Sequence, residues 1–118
     1  SIVIASIEAI NLIQKDSRIL KKLKTNTKYF RNRIIHEGFK IKEGDHPIVP
    51  IMIGDAKLAQ NLSRDMLEYS IYVVGFSFPV VPKNEARIRV QISAAHSKNQ
   101  IDKAIDAFVV CGKKLRII

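Results

Sequence analysis

Two arginines two residues apart, Arg87 and Arg89, are the side chains of this sequence best suited to gripping an anion. They lie in the stretch Ala86-Arg-Ile-Arg-Val-Gln-Ile-Ser93, where charged and apolar residues alternate. Alternation with period two marks a strand with one buried face, so both guanidinium groups emerge on one side while Ile88, Val90 and Ile92 point to the other. A guanidinium offers a planar fork of N–H donors that matches a carboxylate in two-pronged fashion. On pattern alone, two arginines on an open strand face are more economically read as solvated surface charges.

Other residues with chemical potential fall short of a site. His46 sits in Asp45-His46-Pro47, a loop whose aspartate and proline are ordinary turn formers. His96 stands just before Ser97, where a local hydrogen bond at a helix start is favoured over acid–base work. Cys111, the one cysteine, excludes an internal disulfide framework, fits a reducing compartment, and falls in a helical pattern that favours a buried, inert thiol. His36, His46 and His96 are far apart and lack cysteine partners, so no metal site is expected. The five glycines are scattered at turns and helix ends and form no phosphate-cradling loop, and no Ser-His-Asp set can be assembled from the spacing.

Length and composition set the frame. A chain of 118 residues, 47% hydrophobic and with few glycines and prolines, is expected to form one globular domain. No stretch is long enough to span a bilayer. The net charge is +9, and the segment from 15 to 42 holds ten basic residues against two acidic ones. That stripe raises an alternative, a nucleic-acid-binding module using the 15–42 helix; without interleaved aromatics the solvated helix face is the better account. A free-standing interaction domain is a third reading. The sequence opens on Ser1 inside an apolar helical pattern with no cap of its own, which reads as a cut end.

The elements that must position Arg87 and Arg89 can be read from apolar spacing. Residues 2–14 form an apolar helix. A second helix, capped by Asp16 or Ser17, carries the stripe Leu20, Leu23, Thr27, Phe30 and Ile34 and ends at Gly38. Ile48 to Ile53 is a short apolar strand in which Pro50 suggests an edge or a strand start. Gly54-Asp55 begins a helix with Leu58, Leu62 and Met66, Ile71 to Val74 is a second strand, and Arg87 to Ser93 a third. Ser97-Lys-Asn-Gln100 is a capping box opening a last helix with Ile101, Ile105, Phe108, Gly112 and Leu115 on one side. The order ααβαββα predicts an α+β fold, a small mostly antiparallel sheet with helices on one face.

The wording of three segments goes further than their pattern. Gly44-Asp-His-Pro-Ile-Val-Pro-Ile-Met-Ile-Gly-Asp55, Gly75-Phe-Ser-Phe-Pro-Val-Val-Pro-Lys83 and Ala86-Arg-Ile-Arg-Val-Gln-Ile-Ser-Ala-Ala-His96 closely resemble the C-terminal domain of the glycine C-acetyltransferase (2-amino-3-ketobutyrate coenzyme A ligase) branch of the α-oxoamine synthases. These are pyridoxal-phosphate enzymes of the aspartate-aminotransferase fold. Residues 44–118 resemble the small-domain core and 1–43 the helices leading to it, so the likeness spans the whole chain as a single domain.

The resemblance implies an acyltransferase that condenses glycine with acetyl-CoA to 2-amino-3-ketobutyrate and CoA, with pyridoxal phosphate as electron sink. It assigns the grip on the glycine carboxylate to Arg89, leaves Arg87 a structural ion pair, and puts Pro79, Val80 and Val81 in a loop approaching the acyl and cofactor region. It also implies a homodimer when intact, in the cytoplasm or, in a eukaryote, the mitochondrial matrix. The family's catalytic lysine, pyridine-pairing aspartate, ring-stacking histidine and phosphate loop belong to a large domain and have no match here. The chain is therefore expected to be inactive alone and to need that large domain as its partner.

Overall fold

A computed structural model describes residues 17–118. The helix expected over 2–14 and the Asp16 cap lie outside the described residues. The elements are α1 (Ser17–His36), β1 (Lys40–Ile41), β2 (Ile48–Gly54), α2 (Ala56–Leu67), β3 (Val74–Phe76), β4 (Ala86–Gln91) and α3 (Lys98–Lys114). The four strands form one fully antiparallel sheet in the order β1-β2-β4-β3. The expected α+β class, with helices covering one face of a small antiparallel sheet, is what the chain adopts.

Helix ends obey local chemistry. Gly38, at φ +109°, lets the chain leave α1 through paired bonds from the Gly38 and Phe39 amides to the Ile35 and Ile34 carbonyls. The Asp55 carboxylate caps α2 by accepting from the Leu58 amide at 2.9 Å. Ser97 and Gln100 form the expected capping box on α3, each side chain accepting from the other's amide.

One core unites all of these elements. Phe30 and Ile34 of α1, Val49 and Ile51 of β2, Leu62 and Met66 of α2, Ile88 of β4, and Ile105 and Phe108 of α3 are essentially solvent-free. Phe108 is the hub, meeting Phe30 and Phe39 edge-on at ring distances of 6.3 and 5.9 Å. The α1 helix is thus built into the same core as the sheet.

Four readings from spacing are corrected. Leu20, expected in the buried stripe of α1, is 42% exposed, while Asn26 and Arg31 are buried instead. The strand expected at Ile71 to Val74 begins only at Val74, where the ladder opposite Arg89 starts; Ile71 closes the end of α2 through its amide, and Val73 turns into the core. The strand expected at Arg87 to Ser93 runs from Ala86 to Gln91, because Ser93 turns toward His96. The strand holding Pro50, expected at an edge or a strand start, begins at Ile48 and lies inside the sheet between β4 and β1, a two-residue strand that gave no periodic signal.

Arg31 is a structural cation. Its guanidinium donates to the carbonyls of Lys42 (2.9 Å), His46 (2.8 and 3.2 Å) and Ile48 (3.2 Å), clamping the turn that joins β1 to β2. Replacing it by methionine, Arg31→Met, removes the donor shared by those carbonyls. A loss of about 1–3 kcal/mol in denaturant unfolding is expected; a loss under about 0.5 kcal/mol would show that the turn holds itself.

Candidate functional site

The register of β4 decides which face carries chemistry. Ile88 lies opposite Ile51, and Val90 opposite Val49, on the side packed against the helices. Arg87 lies between Met52 and Phe76, and Arg89 between Pro50 and Val74. Residues directly opposite on antiparallel strands share a face. The other side of the sheet is therefore a platform of Pro50, Met52, Val74 and Phe76 with Arg87 and Arg89 rising from it, and none of the six is fully buried.

The two arginines are held differently. Arg87 is reached by Glu85, whose carbonyl accepts from Nε at 3.2 Å and whose carboxylate lies 3.9 Å from Nη2. Its side chain is only 14% exposed. Arg89 is exposed and makes no ion pair among the described residues; its guanidinium carbon lies 5.2 Å from the centre of the Phe76 ring. An arginine held over an aromatic ring keeps its N–H donors for an incoming anion. The strand alternation found both residues, and the structure distinguishes them: Arg87 is engaged and Arg89 is available.

The β3–β4 hairpin ends in the loop 77–85. The Val80 and Val81 amides turn back onto the Ser77 carbonyl at 3.0 and 3.3 Å, and Lys83 lies over the Phe78 ring at 5.1 Å. Pro79 and Val80 are exposed, Val80 at 73%, and Val81 is half-buried. This is an apolar tip projecting beyond the arginine platform, next to the row of Phe76 and Arg87 rather than that of Arg89.

The remaining candidates have structural occupations. Nδ1 of His46 accepts from the Ile48 amide at 3.0 Å, and Nδ1 of His96 accepts from the Ser93 amide at 3.1 Å. Asn26 ties α1 to this second turn by donating to the Ser93 and His96 carbonyls. Cys111 is buried, and burial pushes its thiol pKa up, away from the reactive thiolate. Among the described residues no cluster of His, Cys, Asp or Glu could hold a metal, and no helix is long and apolar enough to cross a membrane.

The basic stripe of 15–42 is not one surface. Arg31 faces inward onto carbonyls, and Arg33 is drawn to α3. The Tyr29 hydroxyl donates to Asp102, and Arg33 donates to that hydroxyl at 3.0 Å and to Asp102 at 3.2 Å. The bond to Tyr29 raises the Arg33 pKa, against some burial and with help from Asp102 and Glu37. Among the described residues, what remains is Arg18 and four exposed lysines on α1, with Lys40 and Lys42 exposed beyond its end, which is a solvated face.

The chain is similar to known proteins. The 2-amino-3-ketobutyrate coenzyme A ligase of Escherichia coli (strain K12) is 43% identical over 118 residues, all of this chain and 30% of the relative. The mitochondrial ligase of Mus musculus is 45% identical over 106 residues, 90% of this chain and 26% of the relative. The chain thus spans under a third of the length of these relatives. Among solved structures, a serine palmitoyltransferase of S. paucimobilis with a bound pyridoxal-phosphate–myriocin aldimine superposes with a TM-score of 0.87 at 22% identity, covering 94% of this chain and 28% of that one. An 8-amino-7-oxononanoate synthase from Francisella tularensis gives 0.79 at 20% identity, covering 93% and 32%. At those identities the structures report the fold alone. The family model for aminotransferases of class I and II matches residues 1–108, and the chain belongs to that family.

Proposed function

We propose that this chain is the C-terminal domain of a pyridoxal-phosphate-dependent acyltransferase that condenses glycine with acetyl-CoA to give 2-amino-3-ketobutyrate and CoA. Its contribution is the grip on the glycine carboxylate. The observation that carries this reading is Arg89: exposed, without an acidic partner among the described residues, and rising from an otherwise apolar platform. Likeness to the 2-amino-3-ketobutyrate ligases over 90% or more of the chain supports the substrate assignment.

The chain's own residues fit a carboxylate and do not fit the cofactor. A lysine that holds an aldehyde works in an enclosed, desolvated pocket, where its pKa falls enough to make it a nucleophile. Every lysine among the described residues is exposed. The cofactor-bearing residues are therefore assigned to a large domain of the same polypeptide, with which this domain forms the site in an intact homodimer, in the cytoplasm or mitochondrial matrix. The sheet platform, bare of helices among the described residues, is the face that this partner would cover. The work left to this chain is orientation: Arg89 holds the carboxylate, and the acetyl group is accommodated by Val80 or Val81, whose apolar side chains ask no polar partner of a methyl group.

Three measurements test these assignments. In the full-length enzyme, Arg89→Ala is expected to lower kcat/KM for glycine about 10²- to 10³-fold, the cost of stranding a charged partner, while the KM for acetyl-CoA changes less than about twofold. Unchanged glycine use would overturn the grip. Enlarging the loop by Val80→Phe is expected to reduce turnover with acetyl-CoA about tenfold and leave glycine binding nearly intact; unaltered kinetics would place the acyl wall elsewhere. Mixing the isolated chain with pyridoxal phosphate and borohydride, then mapping lysines by mass spectrometry, is expected to show no site-selective adduct. A stoichiometric adduct at one lysine would contradict the division of labour.

A further inference from the structure

We infer that Phe76 is a positioning residue for Arg89, setting the aim of its guanidinium without consuming its charge; the inference rests on the assignment of Arg89 as the carboxylate grip. Phe76 pairs in register with Arg87, and Arg89 pairs with Val74, so Phe76 and Arg89 are diagonal neighbours on one face. Diagonal pairs lie within reach of aromatic and long side chains. The Arg89 guanidinium carbon reaches 5.2 Å from the ring centre, inside the range where the ring's negative face attracts a cation.

The choice of neighbour has chemical consequences. A carboxylate beside Arg89 would fix the side chain equally well, but it would occupy the fork and repel the carboxylate of a substrate. Glu85 does this to Arg87, where one Nε bond and one ion pair hold the guanidinium. An aromatic ring attracts the cation through its quadrupole while the five N–H donors remain for an anion. The other register partners of Arg89, Pro50 and Val74, have no side-chain donor or acceptor. Phe76 is the cross-strand neighbour whose ring meets the guanidinium. It sits on a short edge strand and is itself half-buried, so its ring is anchored.

A double-mutant cycle in the full-length enzyme tests this, with glycine as the varied substrate. Phe76→Leu, which keeps apolar bulk and removes the ring face, is expected to raise the glycine KM about 3- to 30-fold, leaving the acetyl-CoA KM and the thermal midpoint unchanged. Phe76→Tyr, which keeps the ring, is expected to retain a wild-type glycine KM. In an Arg89→Ala background, Phe76→Leu is expected to have no further effect, because the residue it directs is gone. If Arg89→Ala impairs glycine use but Phe76→Leu is silent, or multiplies the defect independently, the positioning role is overturned and the grip survives. If Arg89→Ala is itself silent, the grip falls and this inference with it. A Phe76→Leu enzyme with a lowered midpoint and a raised KM for both substrates would mark a packing role and also overturn it.

Discussion

Burial of the sheet on one face only is the constraint from which the rest of the molecule follows. Ile88 and Ile51, paired across β4 and β2, are solvent-free beneath the helices, and each such side chain contributes about 1.5–3 kcal/mol. A one-residue slip of β4 would lift Ile88 into water and press Arg87 and Arg89 into the core. Burying two unpaired cations costs far more than any alternative pairing could return. The apolar side of the strand therefore enforces the geometry of its charged side, and no separate device is needed to make the arginines point outward.

Four arginines show how neighbours, not residue type, decide what a guanidinium does. Arg31 is buried and spends its donors on the carbonyls of one turn. Arg33 joins Tyr29 and Asp102 to bridge α1 and α3. Arg87 is held by the preceding Glu85. Arg33 also lies over a ring, that of Tyr29, but among the described residues Arg89 alone of these four meets a ring with neither a carbonyl nor a carboxylate beside it. Counting charges along α1 groups Arg31 and Arg33 with the solvated lysines, yet neither is available to a distant polyanion, and the net charge of the segment overstates its positive surface.

The same contrast explains what could be read before the fold was known. Alternation in 86–92 and apolar spacing in α2 and α3 are local, repeated signals, and they located Arg87, Arg89, Leu62, Met66, Ile105 and Phe108 correctly. The capping box at Ser97 and the helix exit at Gly38 are local chemistry and were equally legible. What escaped depends on partners distant in sequence. Leu20 has the right spacing but nothing above it among the described residues, and Arg31 is drawn inward by carbonyls eleven to seventeen residues away. Ile71 to Val74 has the composition of a strand, but its ladder could begin only where β4 stood opposite. The availability of Arg89 was invisible for the same reason, because Phe76 lies thirteen positions earlier and meets it only across the hairpin.

An exposed arginine is nevertheless a weak grip. A carboxylate meeting a guanidinium in water gains about 0–1 kcal/mol, because both ions surrender good hydration for one another. The same pair shielded from solvent is worth several times more, since the effective dielectric falls. Arg89 is exposed, so the platform as it stands holds the donors of a strong site without the walls that would make it strong. The three described helices are committed to the opposite face through Phe30, Leu62 and Phe108 and supply no such walls. In the function proposed above, the large domain supplies them, descending on the platform and on the apolar tip around Val80. On that proposal, covering the apolar residues and desolvating the guanidinium are one event, and the burial that completes the site also strengthens the grip.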